Sequence, residues 1–272
     1  DIVFGDWISD VCSSDLKTYT LITGASGGIG FELAVLMASK GHHLILTARS
    51  EEKLTNIARQ LAKNHNIEAI SIPADLSVEK ERTQLINTIR EKKLHIEILV
   101  NNAGFGDLGP FETSSWEKNH QMIDLNITAL AHLTREFLPD MRKAKSGKIM
   151  NVASVASFMP GPLMSVYYAS KAFVLSFGEA IATEIQGSGV TLTTLCPGPV
   201  DTGFQKRAEF REPALMKMMK PATATELAEY GYKSMMNGKR LAIHGMMNRF
   251  LIFTIRFYPR SFVTRLIMRL HQ

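Results

Sequence analysis

The sequence predicts an α/β protein built on a doubly wound, mostly parallel sheet. Three observations predict it. Seven short apolar runs recur along the chain, at 19–23, 43–47, 68–72, 96–101, 148–152, 190–195 and 240–244. Helical patterns separate most of them, which is the rhythm of parallel strands joined by crossover helices. The first run leads into eight residues, Thr23-Gly24-Ala25-Ser26-Gly27-Gly28-Ile29-Gly30, and a helical pattern over 31–40 leads out. In such a sheet ligands bind at the carboxyl ends of the strands. No internal repeat, low-complexity segment or interdomain linker interrupts the alternation, so a single domain with a helical C-terminal extension is expected.

Length and composition bound the reading. The chain has 272 residues, 45% hydrophobic and 21% charged, enough for a sizeable core and unlike a disordered chain. Two cysteines, Cys12 and Cys196, build neither a disulfide framework nor a zinc cluster. They fit a reducing, cytoplasmic compartment. Eight scattered histidines show no ligand spacing, so no metal is expected. No apolar run reaches the roughly 18–20 residues of a membrane span.

Residues 1–16 look foreign to the rest. The stretch 6–16 has no periodicity and resembles the translation of a common sequencing-library adaptor, with Ile8 as the single departure. We read it as a sequence artefact joined to a native chain that resumes near Lys17; the alternative is a disordered tail. The segment holds Asp1, Asp6, Asp10 and Asp15 and no base, which leaves 31 basic and 22 acidic residues in the remainder. Seven of those bases and no acid fall within 239–272, so residues 17–238 are only +2. The basic character belongs to the tail and is no nucleic-acid footprint.

Taken in order, the strand ends carry the informative residues. The glycine run joins a strand to a helix, the arrangement that sets a pyrophosphate against free N–H groups at a helix start. A tight turn without a ligand is the alternative. The second strand ends Thr47-Ala48-Arg49-Ser50. Ala48 offers no carboxylate to a ribose hydroxyl, whereas Arg49 can pair with a 2′-phosphate and Lys53 can add a second charge, which points to NADP. The third strand runs into Asp75-Leu76-Ser77. Asp75 can accept from an adenine amino group or cap the next helix; Ser77 is the better cap, and Lys80 stands where a capping box needs Glu or Gln.

The fourth strand ends Asn101-Asn102-Ala103-Gly104. Its small residues let the backbone approach a flat ligand, and the asparagines can tie neighbouring strand ends together. Asn126, amid apolar helix residues, needs a water, a backbone carbonyl or a catalytic group as partner. The fifth strand ends at Ser154, and Tyr167-Tyr168-Ala169-Ser170-Lys171 follows. Tyr167 and Lys171 are four apart and share a helix face. An ammonium beside a phenol lowers its pKa from about 10 toward the range of general acid–base work.

Together TGASGGIG, NNAG, Asn126, Ser154, YYASK and the later Pro197-Gly198-Pro199-Val200-Asp201-Thr202 resemble the short-chain dehydrogenase/reductase family. The resemblance covers about 17–202 through its motifs. The glycine run fits both the shorter and the larger, epimerase-like members; length and the NNAG element favour the shorter, single-domain type. A basic residue often seen at the position of Gly27 in NADP-preferring members is absent, so Arg49 carries that preference.

The resemblance implies a Rossmann-like fold and an oxidoreductase that interconverts a carbonyl and an alcohol. It implies Tyr167 as proton donor and acceptor, and Lys171 as the group that lowers the Tyr167 pKa and holds the nicotinamide ribose. Ser154 would stabilise the carbonyl oxygen, and Asn126 would hold a water beside Lys171. Gly24, Ser26, Gly28, Ile29 and Gly30 would line the pyrophosphate. Arg49, Asp75, Leu76, Asn102, Ala103, Gly104, Pro197, Gly198, Val200 and Thr202 complete the expected cofactor contacts. NADP(H) is the expected cofactor, with NAD(H) as the alternative, and a homo-oligomer is the expected assembly.

The last third of the chain faces substrate. Positions about 203–222 match the family's substrate lid, and Met216, Met218 and Met219 suit an apolar small-molecule substrate or a plain surface helix. The tail, about 246–272, sets Arg249, Arg256, Arg260, Arg265 and Arg269 among large apolar residues, with Pro259 breaking it into two helices. Such a tail suits peripheral contact with an anionic membrane, a partner subunit or the substrate cleft. A 3-oxoacyl-thioester reductase and a non-catalytic dinucleotide-binding regulator are the alternatives to a general carbonyl reductase.

Overall fold

The seven apolar runs form seven strands of one sheet. They are β1 (Thr18–Thr23), β2 (His43–Thr47), β3 (Ala69–Ser71), β4 (His95–Asn101), β5 (Gly147–Val152), β6 (Val190–Cys196) and β7 (Leu241–Ile243). The computed structural model describes residues 17–200 and 222–271, so Thr202, residues 1–16 and all but the last position of the 203–222 lid lie outside the described residues. The strand order is β3-β2-β1-β4-β5-β6-β7. Every pairing is parallel. β3 is shorter than its apolar run, yet the bonding continues past both ends, from Leu44 N–H to Glu68 O and from Ile72 N–H to Leu46 O, each 2.9 Å.

The crossovers are α1 (Gly28–Ser39), α2 (Glu51–His65), α3 (Glu79–Glu91), α4 (Trp116–Ile123), α5 (Leu130–Ala144) and α6 (Ser165–Glu184). A π-helical turn, Asp124–Ala129, joins α4 to α5. Beyond residue 222 come α7 (Ala224–Met236) and the tail helices α8 (Met246–Ile255) and α9 (Arg260–His271). Thr223 starts α7 with a reciprocal capping box to Glu226, which satisfies two end donors. Pro259 separates α8 from α9, because its ring and missing N–H cannot continue a helix.

The sheet is buried on both faces, which is why its strands read as continuous apolar runs. Successive side chains point to opposite faces. Ile22, Val100, Met150 and Val152 pack with Leu33 and Met37 of α1, Leu54 of α2 and Met235 of α7. Leu21, Leu99 and Ile149 pack with Leu85 and Ile89 of α3, Phe137 of α5 and Ala182 of α6. Each such side chain contributes about 1.5–3 kcal/mol when taken from water. The chain builds outward from β1 to β3 and then returns to β4 on the other side of β1. The helices leaving β1 and β4 therefore diverge and open a crevice at the carboxyl ends of those strands.

Candidate active site

A cleft of about 740 Å³ occupies that crevice. Its first wall is the glycine run. Gly24 (φ +67°) and Gly28 (φ +56°) take left-handed conformations that favour glycine and fold the chain sharply from β1 into α1. α1 begins with no side-chain cap and no acid in its first turn. Its N-terminal N–H groups and the positive end of its dipole are thus available to an anion. Gly24, Ser26, Gly28 and Ile29 line the cleft.

Gly30 lies behind the cleft lining. A Cβ there would lie 2.5 Å from the Gly24 carbonyl oxygen and would also strike the Asn102 amide, so this glycine lets α1 pack against the strand ends. The same junction shows a residue that motif reading missed. The Thr23 hydroxyl accepts from Asn102 N–H and Ala103 N–H, each 2.9 Å, and the Asn102 amide donates to Thr23 O at 2.9 Å. Asn101 donates to Asn151 Oδ1 at 2.9 Å and to Thr134 Oγ1 at 3.0 Å. Both asparagines therefore tie strand ends together, with Asn102, Ala103 and Gly104 on the cleft wall.

One end of the cleft is polar. Arg49, Ser50, Lys53, Asp75 and Leu76 line it. The Arg49 side chain is 70% exposed, with its guanidinium 4.0 Å from Asp75 Oδ2. Lys53 Nζ approaches to 4.0 Å of where a Gly27 side chain would begin. Asp75, rather than Ser77, organises the turn: its Oδ1 accepts from Ser77 N–H at 3.0 Å and from the Ser77 hydroxyl at 2.6 Å. The N-cap of α3 is Val78, without a side-chain bond. Ser77 stands one residue before the cap position, its hydroxyl donating to that carboxylate.

The other end gathers three groups from two elements. Ser154 follows β5, and its hydroxyl accepts from Ala156 N–H at 3.1 Å. Tyr167 and Lys171 stand one turn apart on α6. A side-chain hydrogen bond joins Ser154 to the Tyr167 phenol. Lys171 Nζ donates to Val152 O at 2.8 Å and lies 6.0 Å from the Tyr167 ring centroid. All three side chains line the cleft, together with Pro197, Gly198 and Val200.

Electrostatics at this end corrects one expectation. Burial pushes the Tyr167 pKa up, and the Ser154 hydrogen bond offsets only part of the rise. The expected lowering by Lys171 is not seen. Desolvation is the reason, because it disfavours both charged forms. It also brings the Lys171 ammonium down from 10.5 to about 8, against a small opposing effect of Cys196. The phenol is thus held neutral while the ammonium beside it keeps its charge near neutral pH. Cys196 ends β6 fully buried, its thiol pushed up to about 12 by desolvation.

Asn126 lies on the π-helical turn, behind the cleft wall rather than on it. Its Oδ1 accepts from Phe105 N–H at 3.1 Å, and its Nδ2 donates to Phe105 O at 2.9 Å and Ser170 Oγ at 3.0 Å. Its partners are thus the Phe105 backbone and the Ser170 hydroxyl, which use both amide donors and one lone pair of Oδ1. The side chain fixes the loop after β4. A Cβ at Gly104 would press on Asn126 Oδ1 at 2.9 Å and on Lys171 Nζ at 3.4 Å, so the glycine keeps this corner open.

Tyr168 also lines the cleft, unforeseen from the motif. Its hydroxyl is 3.1 Å from His271 Nε2, at the end of α9. His271 Nδ1 is 2.7 Å from Pro162 O, so Nδ1 carries the proton and Nε2 accepts from Tyr168. The tail helix thus closes against the cleft. Among the described residues no three His, Cys, Asp or Glu side chains gather as a metal site.

The arrangement can hold a dinucleotide. The uncapped N–H groups of α1 would hold its phosphates and Arg49 and Lys53 one end, with Ser154, Tyr167 and Lys171 at the other. Fold and cleft together define a Rossmann-like protein of the redox type, with its working groups at the strand ends. The chain matches the short chain dehydrogenase family over residues 18–212. It belongs to that family and is an oxidoreductase. It is 37% identical over 195 residues to sulfoacetaldehyde reductase 2 of Chromohalobacter salexigens, covering 70% of this chain and 75% of that one. It is 31% identical over 250 residues to very-long-chain 3-oxoacyl-CoA reductase-A of Danio rerio, covering 86% and 75%. Among solved structures, a short-chain dehydrogenase from Sphingobium yanoikuyae in complex with NADPH superposes with a TM-score of 0.79 at 29% identity, covering 88% of this chain and 94% of that one.

Proposed function

We propose that this oxidoreductase uses NADP(H) to interconvert a carbonyl and an alcohol on an apolar small molecule, with Tyr167 exchanging the proton. The observation that carries the reading is the meeting of Ser154, Tyr167 and Lys171 at one end of the cleft, with Arg49 and Lys53 at the other. The bound nicotinamide supplies or accepts the hydride. Ser154 donates a hydrogen bond to the carbonyl oxygen and holds it beside the phenol. Tyr167, kept protonated by its burial, gives its proton to that oxygen as negative charge develops. Lys171 keeps a positive charge next to the phenolate that remains. Arg49 and Lys53 favour a 2′-phosphate by charge-assisted bonds, and Asp75 stays paired with Arg49 at the rim.

Phe105, Leu125, Val155, Ala156 and Met164 wall the cleft near Tyr167, which supports an apolar substrate. The likeness to a 3-oxoacyl-CoA reductase, together with the basic tail, favours one second reading, reduction of a 3-oxoacyl thioester. A panel of aldehydes, ketones and 3-oxoacyl thioesters, run with NADPH and NADH in parallel, separates these. In the same panel Tyr167→Phe should lower turnover by about a hundredfold or more while nucleotide still quenches protein fluorescence. Retained turnover in that variant would remove the tyrosine from the mechanism.

A further inference from the structure

We infer that α8 and α9 dock the enzyme onto an anionic bilayer surface, a function separate from the redox reading. Helices of a globular protein turn their apolar stripe inward. α8 buries Ile252, yet it and the turn just past its end carry a second apolar stripe, spaced four, three and four residues, that faces outward. Met246, Phe250, Phe253 and Phe257 are 85%, 62%, 57% and 73% exposed. Phe262 and Leu266 extend that surface along α9 at 51% and 45% exposure. An apolar surface of this extent marks an interaction site.

Charge selects the occupant. Residues 239–272 hold seven bases and no acid, while 17–238 carry a net charge of only +2. Two copies meeting through this face would bring the same arginines together, which like-charge repulsion opposes. An anionic lipid surface offers the opposite sign and accepts aromatic side chains at headgroup depth. With 10 and 12 residues the two helices are about 15 and 18 Å long, too short to span a bilayer, so they lie in its interface. No described helix is long and apolar enough to cross a membrane. Through the His271–Tyr168 contact the docked element adjoins the cleft wall.

The test is flotation of the full chain with vesicles of phosphatidylcholine alone, and with one part phosphatidylserine to two parts phosphatidylcholine. The chain should float with the anionic vesicles and be released by salt. Arg256→Gln, Arg260→Gln and Arg265→Gln combined should weaken partitioning by about a hundredfold, at roughly one kcal/mol per base. Phe250→Ser, Phe253→Ser and Phe257→Ser combined should abolish flotation even at low salt. Unchanged thermal melting of both triple variants separates lost docking from lost folding. Absence of flotation with anionic vesicles overturns the inference, as does equal flotation with both vesicle types. A dimer in solution that the phenylalanine variant dissociates overturns it in favour of self-association. None of these readouts depends on turnover, so the docking and the redox reading fail separately.

Discussion

Replacing Lys171 by methionine is expected to stabilise the fold while removing its activity. The lysine is 6% exposed, and burial brings its pKa from 10.5 to about 8. Keeping the ammonium charged inside the fold near neutral pH therefore costs about 3 kcal/mol relative to the unfolded chain. Methionine has a similar length and no charge. It gives up the 2.8 Å charge-assisted bond to Val152 O, worth about 2 kcal/mol. The net gain of about 1 kcal/mol corresponds to a rise in Tm of about 3 °C for a chain of this size. The sign reverses nothing below the folded pKa, where the lysine is protonated in both states and the cost is complete. As pH rises from about 8 toward 10.5 the folded chain releases its proton first and the cost shrinks, to about 1 kcal/mol near pH 10. Calorimetry near neutral pH and near that alkaline value should show an advantage for the variant that fades with alkalinity. A lower Tm for the variant near neutrality, or an advantage indifferent to pH, would refute the reasoning and make Lys171 a structural anchor.

Three further outcomes are expected. Arg49→Ala should weaken NADPH binding by about tenfold and leave NADH within about twofold, by fluorescence titration, because only the former carries the phosphate a guanidinium pairs with. Gly30→Ala should destabilise the fold by about 1–3 kcal/mol in urea titration, since its methyl group meets the Gly24 carbonyl and the Asn102 amide. The rate of carbonyl reduction should fall as pH rises through about 8, where Lys171 loses its charge, while Tyr167, raised by burial, remains a donor; a rate flat through that range would detach the lysine from the step.

The sheet was legible because each strand is buried on both faces and so reads as an apolar run flanked by turns. The cleft was legible for a related reason: glycines, asparagines and the Tyr–Lys pair sit at strand ends and on one helix face, where short-range spacing fixes geometry. What spacing does not encode is the neighbour across the fold. Gly30 reads as part of a phosphate loop, yet its neighbour is Asn102 on another strand. Ser77 reads as a cap, yet Asp75 claims its hydroxyl. Arg82 belongs to no motif, yet it is 4% exposed, donating to Leu76 O at 2.7 Å and His132 Nδ1 at 3.0 Å. The Tyr167 pKa was misread because proximity of a cation is visible in sequence and desolvation is not.

The π-helical turn at Asp124–Ala129 has a bearing on which length changes the protein tolerates. A regular helix advances about 100° per residue. Deleting one position there would relax the wide turn into ordinary winding, but it would also rotate α4 by that angle against α5. Met122 and Asn119, now 1% and 4% exposed, would swing off the interior, and the grip on Phe105 would be lost. The surplus residue thus acts as a phase shim, and lineages descended from this chain should trim or lengthen their loops before they touch it.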